Sequence, residues 1–555
     1  MTERTYGDLT FDTETHKWTI TNLEPHVAMA FKRLFPKVPK AVDVLVLADS
    51  DENRADLEWF TMRYPLRHKF TNALSLGARR IGKRIAERGT ILAPDWTPPE
   101  FIGFKEGEAP YLYQAQAVQI ALNQGALLVG DDVGLGKTET VIAAGVMGAP
   151  LPMAIVVKPD LAIQWKRRVE RFCHLRAHII SGTRPYDLPP ADIYIFKYSN
   201  VGGWFDMLKH LKFPSVAWDE IQELRHGDTT DKGRASRMLT EFSSFRMATS
   251  ATPTYNYGDE IHTVMSYVQP DLFGPRDDFT REWCGGGKIV TDPDALGAFL
   301  ADSGYFLRRD ENDPAVDRSM PPPNVLDFKI DCDEGAIDKE MDVLRILALK
   351  VLEGSFNERG QASRALDMRM RQLTGIGKAR YVAAYVKMLL SEYEKVILAG
   401  WHREFHDIIM RQLSPFNCRL YTGSENSKMK DRNVQEFIEG DCRVISMSLR
   451  STAGLDGVQK VCWNAVIGEL DWSPMVHKQF IGRARRPGQM EQVNAHLLWT
   501  DFGSDPPMLE MLGVKQDQGR GIIDPGKAIA PREADESRVK MLAKYVLDQA
   551  NPVHV

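Results

Sequence analysis

Two stretches of the sequence alternate short Val/Ile/Leu runs with segments of helical spacing, and this alternation constrains the fold most strongly. The first stretch, at about 109–255, contains ALLVG, AIVVK, IYIFK, SVAWDE and FRMATSA. The second, at 395–499, contains KVILAGW, CRLYTG, CRVISMS, AVIGEL and VNAHLLW. Continuous apolar runs bounded by polar or Gly/Pro turns are typical of parallel strands covered by helices on both faces. The chain is therefore predicted to be α/β, with two parallel-sheet lobes in tandem.

Proline-rich segments mark the boundaries between the predicted domains. LAPDWTPPE at 92–100 and SMPPPN at 319–324 have the composition of linkers. Long helical segments between the second linker and the second alternating stretch predict a helical insertion at the start of lobe two. We expect four parts: an N-terminal accessory domain at 1–100, lobe one at 101–320, lobe two at 321–505, and a polar tail without clear periodicity at 506–555.

Composition limits the class of protein. Of the 555 residues, 70 are Lys or Arg and 75 are Asp or Glu, a net charge of −5, so any binding to nucleic acid must rest on local basic surface. The longest apolar run, AVDVLVLA at 41–48, is too short for a membrane helix and is predicted to be a buried strand. No secretory signal is expected at the N-terminus, and six scattered cysteines without a C-x-x-C pair suit a reducing cytoplasm.

Three sets of residues leave alternatives open. The basic helix at 74–89, which carries Arg79, Arg80, Lys83, Arg84 and Arg88, is either a solvated face or a DNA contact. The same choice applies to six cations between the linker and the second stretch: Arg359, Arg364, Arg369, Arg371, Lys378 and Arg380. Trp401 and His402, which follow the strand VILAG, either pack in the core or meet a ligand.

The strongest local signal is ALLVGDDVGLGKTETVIAA at 126–144, in which an apolar strand runs through a glycine-rich turn into a helix. Gly134 and Gly136 permit backbone N–H groups to close around phosphate oxygens, and the helix N-terminus adds partial positive charge. Lys137 would then contact the β- and γ-phosphates, and the Thr138 hydroxyl would bind magnesium. The strict GxxxxGK[ST] pattern requires glycine where this chain has Asp131.

Two further signals fit a nucleoside-triphosphate site. FPSVAWDEIQ at 213–222 ends an apolar strand in Asp219 and Glu220, which is the usual place for a magnesium carboxylate and a neighbour that orients water. QFIGRARRPGQ at 479–489 fits the pattern QxxGRxxR, and its arginines are fixed cations of the kind that contact a transferring phosphoryl group. Each signal alone has a plain alternative, a solvated acid pair or a basic helix face.

Together these motifs resemble helicase superfamily two, and within it the Swi/Snf-type translocases, over roughly residues 109–500. PYLYQAQAVQIAL resembles the Q motif, VVKPDLAIQWKRRVERF motif Ia, ATSATP motif III, TGS at 422–424 motif IVa and SLRSTAGLDGVQ motif V. LTGIGKARYVAAYVKMLLSEYEKVILAGWHREFHDII is similar to the start of lobe two in annealing helicases of the HARP type. The whole chain also resembles phage-encoded helicases, although DEIQ and GRARR depart from the usual DEAH and DRAHR.

The resemblance implies two RecA-like lobes and a role for each matching residue. Catalysis would use Lys137, Asp219, Glu220, Arg483 and Arg486, and magnesium would bind Thr138 and Asp219. Nucleotide contacts would also come from Gln114, Gly134, Gly136, Gly454, Asp456 and Gln479. DNA contacts would come from Lys158, Trp165, Thr422, Ser451 and Thr452.

Three hypotheses of function follow from this resemblance. The first is an ATP- and Mg²⁺-dependent motor, a monomer, that remodels duplex, forked or branched DNA in phage replication or recombination, with replication or recombination proteins as partners. The second is a DNA-tracking motor that displaces bound protein. The third is an ATP-switched DNA-binding protein that hydrolyses ATP too slowly to move. RNA also remains open as a track, because contacts to phosphates do not by themselves distinguish the two sugars.

Overall fold

A computed structural model gives the fold of most of the chain. It describes residues 4–100, 102–254, 258–310, 313, 316, 322–449, 457–486, 489–510, 512 and 538–550. The chain divides near residue 316 into two compact units. Within the described residues, no helix is long and apolar enough to cross a membrane.

The first unit begins with a small α+β domain. Its three strands form an antiparallel sheet in the order β1-β2-β3, and its core contains Trp18, Phe31 and Phe60. Its elements are β1 (Asp8–Asp12), β2 (Lys17–Thr21), α1 (Pro25–Leu34), β3 (Leu45–Ala48), α2 (Asp51–Arg63) and α3 (Thr71–Ile91). Ser50 caps α2 by accepting a hydrogen bond from the Asn53 N–H at 3.0 Å, which fixes where this helix begins.

The strand predicted at 41–48 differs from the expectation of full burial. Only residues 45–48 form β3, and it pairs with β2 in an antiparallel sheet. Leu45 and Leu47 are buried, whereas Val44 and Val46 are 50% and 40% exposed. Antiparallel sheets often have one face in solvent, so an apolar run here alternates between core and surface.

The rest of the first unit is a parallel sheet of seven strands in the order β10-β4-β9-β8-β5-β7-β6. Strands β4, β5 and β8 are buried along their whole length, as their unbroken apolar sequences predict. The strands are β4 (Ala126–Val129), β5 (Met153–Val157), β6 (Ala177–Ile179), β7 (Ile193–Lys197), β8 (Ser215–Asp219), β9 (Phe245–Thr249) and β10 (Phe306–Leu307).

Helices join these strands. They are α4 (Leu112–Gln124), α5 (Lys137–Met147), α6 (Ala162–Phe172), α7 (Phe205–Leu211), α8 (Asp231–Phe242), α9 (Glu260–Val268), α10 (Arg276–Trp283) and α11 (Pro293–Ser303). The apolar side chains of the strands form separate core clusters with helices α4–α6 and with helices α8–α11. The predicted parallel α/β architecture is thus confirmed for this unit.

Helix α3 connects the small domain to the seven-stranded sheet. Its last residue, Ile91, packs in the core beneath α4, and its carbonyl accepts a hydrogen bond from Gln116 Nε2 at 2.9 Å. Arg84 pairs with Asp51 at 3.1 Å and donates to the Tyr305 hydroxyl at 3.3 Å. Part of the basic face predicted at 74–89 therefore holds the first unit together, while Arg79 and Lys83 remain exposed.

The second unit contains a parallel sheet of six strands in the order β11-β16-β15-β12-β14-β13. Strands β12 and β15 are fully buried, and β11 is an edge strand with mostly exposed side chains. The strands are β11 (Asn324–Lys329), β12 (Val396–Gly400), β13 (Arg419–Tyr421), β14 (Val444–Ser448), β15 (Asn464–Ile467) and β16 (Asn494–Trp499). The second predicted α/β lobe is confirmed.

The helices of the second unit include the expected insertion at its start. They are α12 (Gly335–Asp338), α13 (Met341–Glu353), α14 (Phe356–Glu392), α15 (Arg403–Gln412), α16 (Ser427–Glu439), α17 (Pro474–Ala484) and α18 (Arg538–Ala550). Helix α18 lies in the segment expected to be a tail without periodicity. Its Leu542, Ala543 and Val546 are fully buried in the same core as α13, so its apolar face was missed in the sequence.

His477 on α17 makes the stability of the second unit sensitive to acid. It is 6% exposed, its Nε2 accepts a hydrogen bond from the Asp471 N–H at 2.8 Å, and burial lowers its pKa from 6.5 to about 4. A depressed histidine pKa means that the unfolded chain binds more protons between these values, so this stability is complete above pH 6.5 and is lost as the pH falls towards 4.

We expect His477→Gln to reduce this acid sensitivity. Glutamine also offers an acceptor to the Asp471 N–H, but it does not titrate. From pH 7.5 to pH 5, the free energy of unfolding of the wild type should fall by about 2 kcal/mol more than that of the variant. Urea denaturation at the two pH values measures the difference. An identical pH dependence in both proteins would contradict the assignment.

Candidate functional site

The glycine-rich turn of the first unit has the geometry of an anion-binding loop. Strand β4 ends at Val129 and helix α5 begins at Lys137. Gly134 and Gly136 between them adopt φ values of 92° and 68°, in the left-handed region that favours glycine. A Cβ on Gly136 would also lie 2.4 Å from Gln114 Nε2. The backbone conformation therefore requires glycine at both positions. The loop ends at the N-terminus of α5, where backbone N–H groups can bind an anion.

Lys137 lies at the start of α5 and turns back over this loop. Its Nζ donates to the carbonyl oxygens of Asp131 at 2.8 Å and Asp132 at 3.0 Å. Burial lowers the pKa of Lys137, while the negative charges of Glu220 and the two aspartates oppose that shift. Thr138 follows in the first turn of the helix. The loop thus places an ammonium group and a hydroxyl where a polyphosphate would meet the helix N-terminus.

The acid pair lies at the carboxyl end of β8, on a strand of the same sheet. Asp219 is the last residue of β8, and Glu220 follows with φ 53°, a left-handed conformation that ends the strand abruptly. Burial raises the pKa of Asp219, and the charge of Glu220 raises it further. Since Glu220 also acts on Lys137, the predicted acids and the predicted lysine belong to one charge cluster.

Two side chains that come from different motifs hold Asp219. The Thr249 hydroxyl, at the end of β9, donates to Asp219 Oδ1 at 2.8 Å, and the Trp165 indole N–H donates to Oδ2 at 3.2 Å. Trp165 is 2% exposed. The indole ring is thus buried and its N–H is engaged by Asp219, which does not favour the expected DNA contact of Trp165; that contact stays a prediction.

Gln114 is buried and its side-chain amide is already engaged. Its Oε1 accepts from the Tyr111 N–H at 2.9 Å, and its Nε2 donates to the Gly136 carbonyl at 3.1 Å. Tyr111 and Tyr113 stack beside it with ring centroids 5.6 Å apart. The predicted nucleotide-contacting glutamine thus connects the start of α4 to the end of the phosphate loop.

The remaining predicted residues make the following contacts outside the charge cluster or lie in the second unit. Lys158 is 37% exposed and lies 3.8 Å from Glu223, and the Thr422 hydroxyl donates to Glu425 at 2.9 Å. In the second unit, Gln479 and Arg483 lie on α17 and Arg486 follows it, all partly buried. Four predicted residues lie outside the described residues: Ser451, Thr452, Gly454 and Asp456.

Trp401 and His402 lie partly buried around Glu469 in the second unit. Glu469 accepts hydrogen bonds from the backbone N–H groups of both residues and lies 2.7 Å from His402 Nδ1. The guanidinium of Arg371 covers the Trp401 ring at 4.9 Å. The packing interpretation of these residues is favoured, because both backbone N–H groups and His402 Nδ1 contact Glu469.

Three of the six cations considered for a DNA groove form ion pairs within the second unit. Arg371 pairs with Asp471 at 3.4 Å, Lys378 pairs with Asp505 at 2.6 Å, and Arg369 pairs with Glu340. Lys378 and Asp505 are almost fully buried. The exposed members of the set are Arg359, Arg364 and Arg380.

Sequence reasoning missed Arg309 in the first unit. It follows β10 and forms a buried ion pair with Asp131, the residue that stands where the strict phosphate-loop pattern has glycine. The two residues are 178 positions apart, so spacing alone does not relate them. The signal available in the sequence was Asp131 itself, since a carboxylate at the start of a phosphate loop requires a cationic partner.

Comparison with known proteins agrees with the motif assignment. Residues 51–323 match the family model of the SNF2-related domain. The chain is 24% identical over 424 residues to the SWI/SNF-related matrix-associated actin-dependent regulator of chromatin subfamily A-like protein 1 of Drosophila melanogaster, covering 73% of this chain and 55% of that protein. It is 25% identical over 452 residues to the DNA annealing helicase and endonuclease ZRANB3 of Mus musculus, covering 77% and 42%.

A solved structure, the SWI2/SNF2 ATPase core of Sulfolobus solfataricus in complex with dsDNA, is 18% identical and aligns over 78% of this chain and 96% of that one, with a TM-score of 0.39. The chain spans about half the length of the curated relatives it matches. The family model thus covers just under half of the chain, and it agrees with the resemblance of the ordered motifs to Swi/Snf-type proteins of helicase superfamily two.

Proposed function

We propose that the chain is a DNA-dependent ATPase that uses ATP hydrolysis to move along or remodel duplex, forked or branched DNA. The observation that carries this proposal is the charge cluster of Lys137, Asp219 and Glu220 beside a glycine-rich loop and a helix N-terminus. Phosphoryl transfer needs positioning and electrostatic stabilisation more than covalent chemistry, and these groups supply both. The SNF2-related domain match supports the same reaction class.

Each residue has a distinct part in the proposed reaction. Lys137 exchanges its two carbonyl partners for the β- and γ-phosphates of ATP, which compensate its charge better. The N–H groups at the start of α5 bind the phosphates. Glu220 orients the attacking water, and Gln222 Nε2, which donates to Glu220 Oε2, restricts the direction of that carboxylate.

The donor set suits magnesium. Asp219 accepts one hydrogen bond on each carboxylate oxygen, which leaves lone pairs on both. Mg²⁺ prefers hard oxygen ligands and is usually held by one or two carboxylates together with substrate phosphates. We propose that Asp219 and the Thr138 hydroxyl hold it, and that the ion neutralises charge on the phosphates of bound ATP.

We expect Thr249→Val to weaken the magnesium dependence of hydrolysis selectively. The change removes the hydroxyl that donates to Asp219 and preserves the side-chain shape, so the carboxylate loses one of two orienting groups. The Mg²⁺ concentration for half-maximal ATP hydrolysis should rise about tenfold. Thr240→Val is the matched control, because Thr240 is a buried threonine that donates to Ser236 and Tyr267 carbonyls away from the site. Equal behaviour of the two variants would refute the role.

We propose that Arg483 and Arg486 of the second lobe complete the reaction by stabilising charge on the transferring phosphoryl group. Arginine is suited to this because its guanidinium remains charged and forms paired hydrogen bonds to phosphate oxygens. Gln479 lies one helical turn before Arg483 on α17, and we propose that it contributes to the same event. This part of the proposal rests on motif resemblance.

DNA is proposed as the track through contacts to its phosphates. Such contacts carry no base information, so binding should show little sequence specificity and should weaken as salt rises. Exposed Arg359, Arg364 and Arg380 on α14, together with Lys158 and Thr422, are the residues we propose for these contacts. We also propose that residues 1–100 contribute to the choice of DNA structure through the exposed cations Arg79 and Lys83 on α3.

Two substrates of the motor are distinguished by one experiment. Similarity to a DNA annealing helicase favours remodelling of forked or branched DNA, whereas similarity to a regulator of chromatin favours displacement of bound protein. We expect the chain to regress a protein-free model fork in an ATP-dependent reaction. Activity only on DNA that carries a protein roadblock would show instead that it displaces proteins.

A further inference from the structure

The phosphate loop of this chain contains two carboxylates that a triphosphate would encounter. Asp131 and Asp132 stand at the start of the loop, and Lys137 Nζ contacts the carbonyl oxygen of each. Asp131 is fully buried and Asp132 is 4% exposed. Buried charges interact strongly because little solvent screens them, so an uncompensated aspartate here would oppose the binding of a polyanion.

The end of β10 supplies a cation for each of these carboxylates. Because β10 pairs in parallel with β4, the residues after Leu307 leave the sheet beside the phosphate loop. Arg308 Nη2 lies 3.9 Å from Asp132 Oδ2. Arg309 binds the Asp131 carboxylate in a forked arrangement, with Nε donating to Oδ1 at 3.0 Å and Nη2 donating to Oδ2.

Arg309 is also held from a second direction. Its Nη1 donates to the Tyr113 carbonyl, and its guanidinium covers the Tyr113 ring at 5.1 Å from the centroid. Its side chain is 3% exposed and that of Asp131 is fully buried. The guanidinium is therefore fixed between α4 and the phosphate loop.

We propose that Arg309 is a positioning residue whose charge makes an acidic phosphate loop able to bind a triphosphate. Glycine at position 131 would need no cationic partner. The charge of the Asp131 carboxylate, in contrast, must be neutralised before an anionic triphosphate can bind beside it. Arg309 performs this through the charge of its buried ion pair with Asp131, whose carbonyl oxygen Lys137 contacts. The inference rests on the proposed ATP site.

Rescue by a second substitution tests the charge argument. Isothermal titration calorimetry would measure the affinity of each variant for Mg²⁺-ATP and for inorganic tripolyphosphate, which has no base or sugar. We expect Arg309→Met to weaken both by at least about tenfold, because the buried aspartate then repels the ligand. Adding Asp131→Asn to Arg309→Met should restore both affinities to within about threefold of the wild type, because the repulsion is removed.

Two results would overturn the proposed role of Arg309. A folded double variant that binds as weakly as Arg309→Met would overturn the proposal, because it would show a purely structural contribution. If Arg309→Met alone does not fold, Arg309→Lys decides, since it keeps the charge without the fork. It should bind tripolyphosphate within about threefold of the wild type, and a tenfold loss in the folded protein would overturn the proposal.

Arg54→Met is the matched control, because Arg54 forms the same forked pair with Asp49 in the small N-terminal domain. It should leave both affinities unchanged. A wild-type chain that binds neither ligand would contradict the proposed ATPase, whereas failure of the rescue in a chain that binds ATP would contradict only the role of Arg309.

Discussion

The Lys137→Ala variant is expected to lose DNA-stimulated ATP hydrolysis by roughly 100- to 1,000-fold, the usual cost of removing one preorganised group that stabilises the transition state. Lys137 is the cation at the mouth of the phosphate loop, and burial lowers its pKa. In the absence of ATP its partners are carbonyl oxygens, which do not neutralise it fully. Steady-state phosphate release with saturating duplex DNA measures the loss.

Lys209→Ala is the control for Lys137→Ala. Lys209 lies on α7 in the same lobe and is 44% exposed, and its ammonium contacts Asp206 and the Phe205 ring at the surface. Its removal should leave the rate within about twofold, as is normal for a surface substitution. Unchanged hydrolysis in Lys137→Ala would contradict the assignment of the glycine-rich turn as the phosphate loop.

Glu220→Gln should separate binding from hydrolysis. Glutamine keeps the size of the side chain and an acceptor for Gln222, but it orients and polarises water less effectively than a carboxylate. Hydrolysis should fall about 100-fold while the affinity for ATP changes little. Single-turnover hydrolysis measures the rate, and calorimetric titration measures the affinity.

Glu241→Gln provides the matching control, because Glu241 is an exposed residue on α8 in the same lobe. We expect its hydrolysis rate to match the wild type. If Glu220→Gln also hydrolysed ATP at the wild-type rate, another group would have to orient the water, and the role proposed for DEIQ would be wrong.

The sheet architecture of both lobes was predictable from the sequence, because each apolar run is short, continuous and ends at a turn. The strands near 126, 153, 193, 215 and 245 lie where those runs predicted them. Parallel strands that are buried on both faces have continuous apolar sequences, which are easy to recognise. Lys137, Asp219 and Glu220 were predictable for a related reason, since they follow such strands directly.

The contacts that complete the site were not predictable in the same way. Trp165 and Arg309 act on acids 54 and 178 positions away, and their sequence surroundings are an amphipathic helix and a strand end. Nothing in a local pattern indicates that Trp165 donates to Asp219. Only the parallel sheet, in which β8 and β10 end at the same carboxyl edge, relates these residues.

Charge along a helix was also ambiguous in the sequence. Helix α3 presents a basic face, yet Arg84 and Arg88 are used to join the small domain to lobe one. On α14, Lys378 is buried with Asp505 rather than exposed to a DNA groove. A charge run does not reveal which of its members have acidic partners elsewhere in the chain, so the structure reduces the candidates for DNA contact to the exposed cations.

The most direct test of the account is steady-state ATP hydrolysis by the full chain, measured in parallel without effector and with single-stranded DNA, duplex DNA, forked DNA and RNA. We expect low turnover without effector, strong stimulation by duplex or forked DNA, and loss of that stimulation in Lys137→Ala. Equal and low turnover under all five conditions would contradict it and would favour an ATP-switched binding protein.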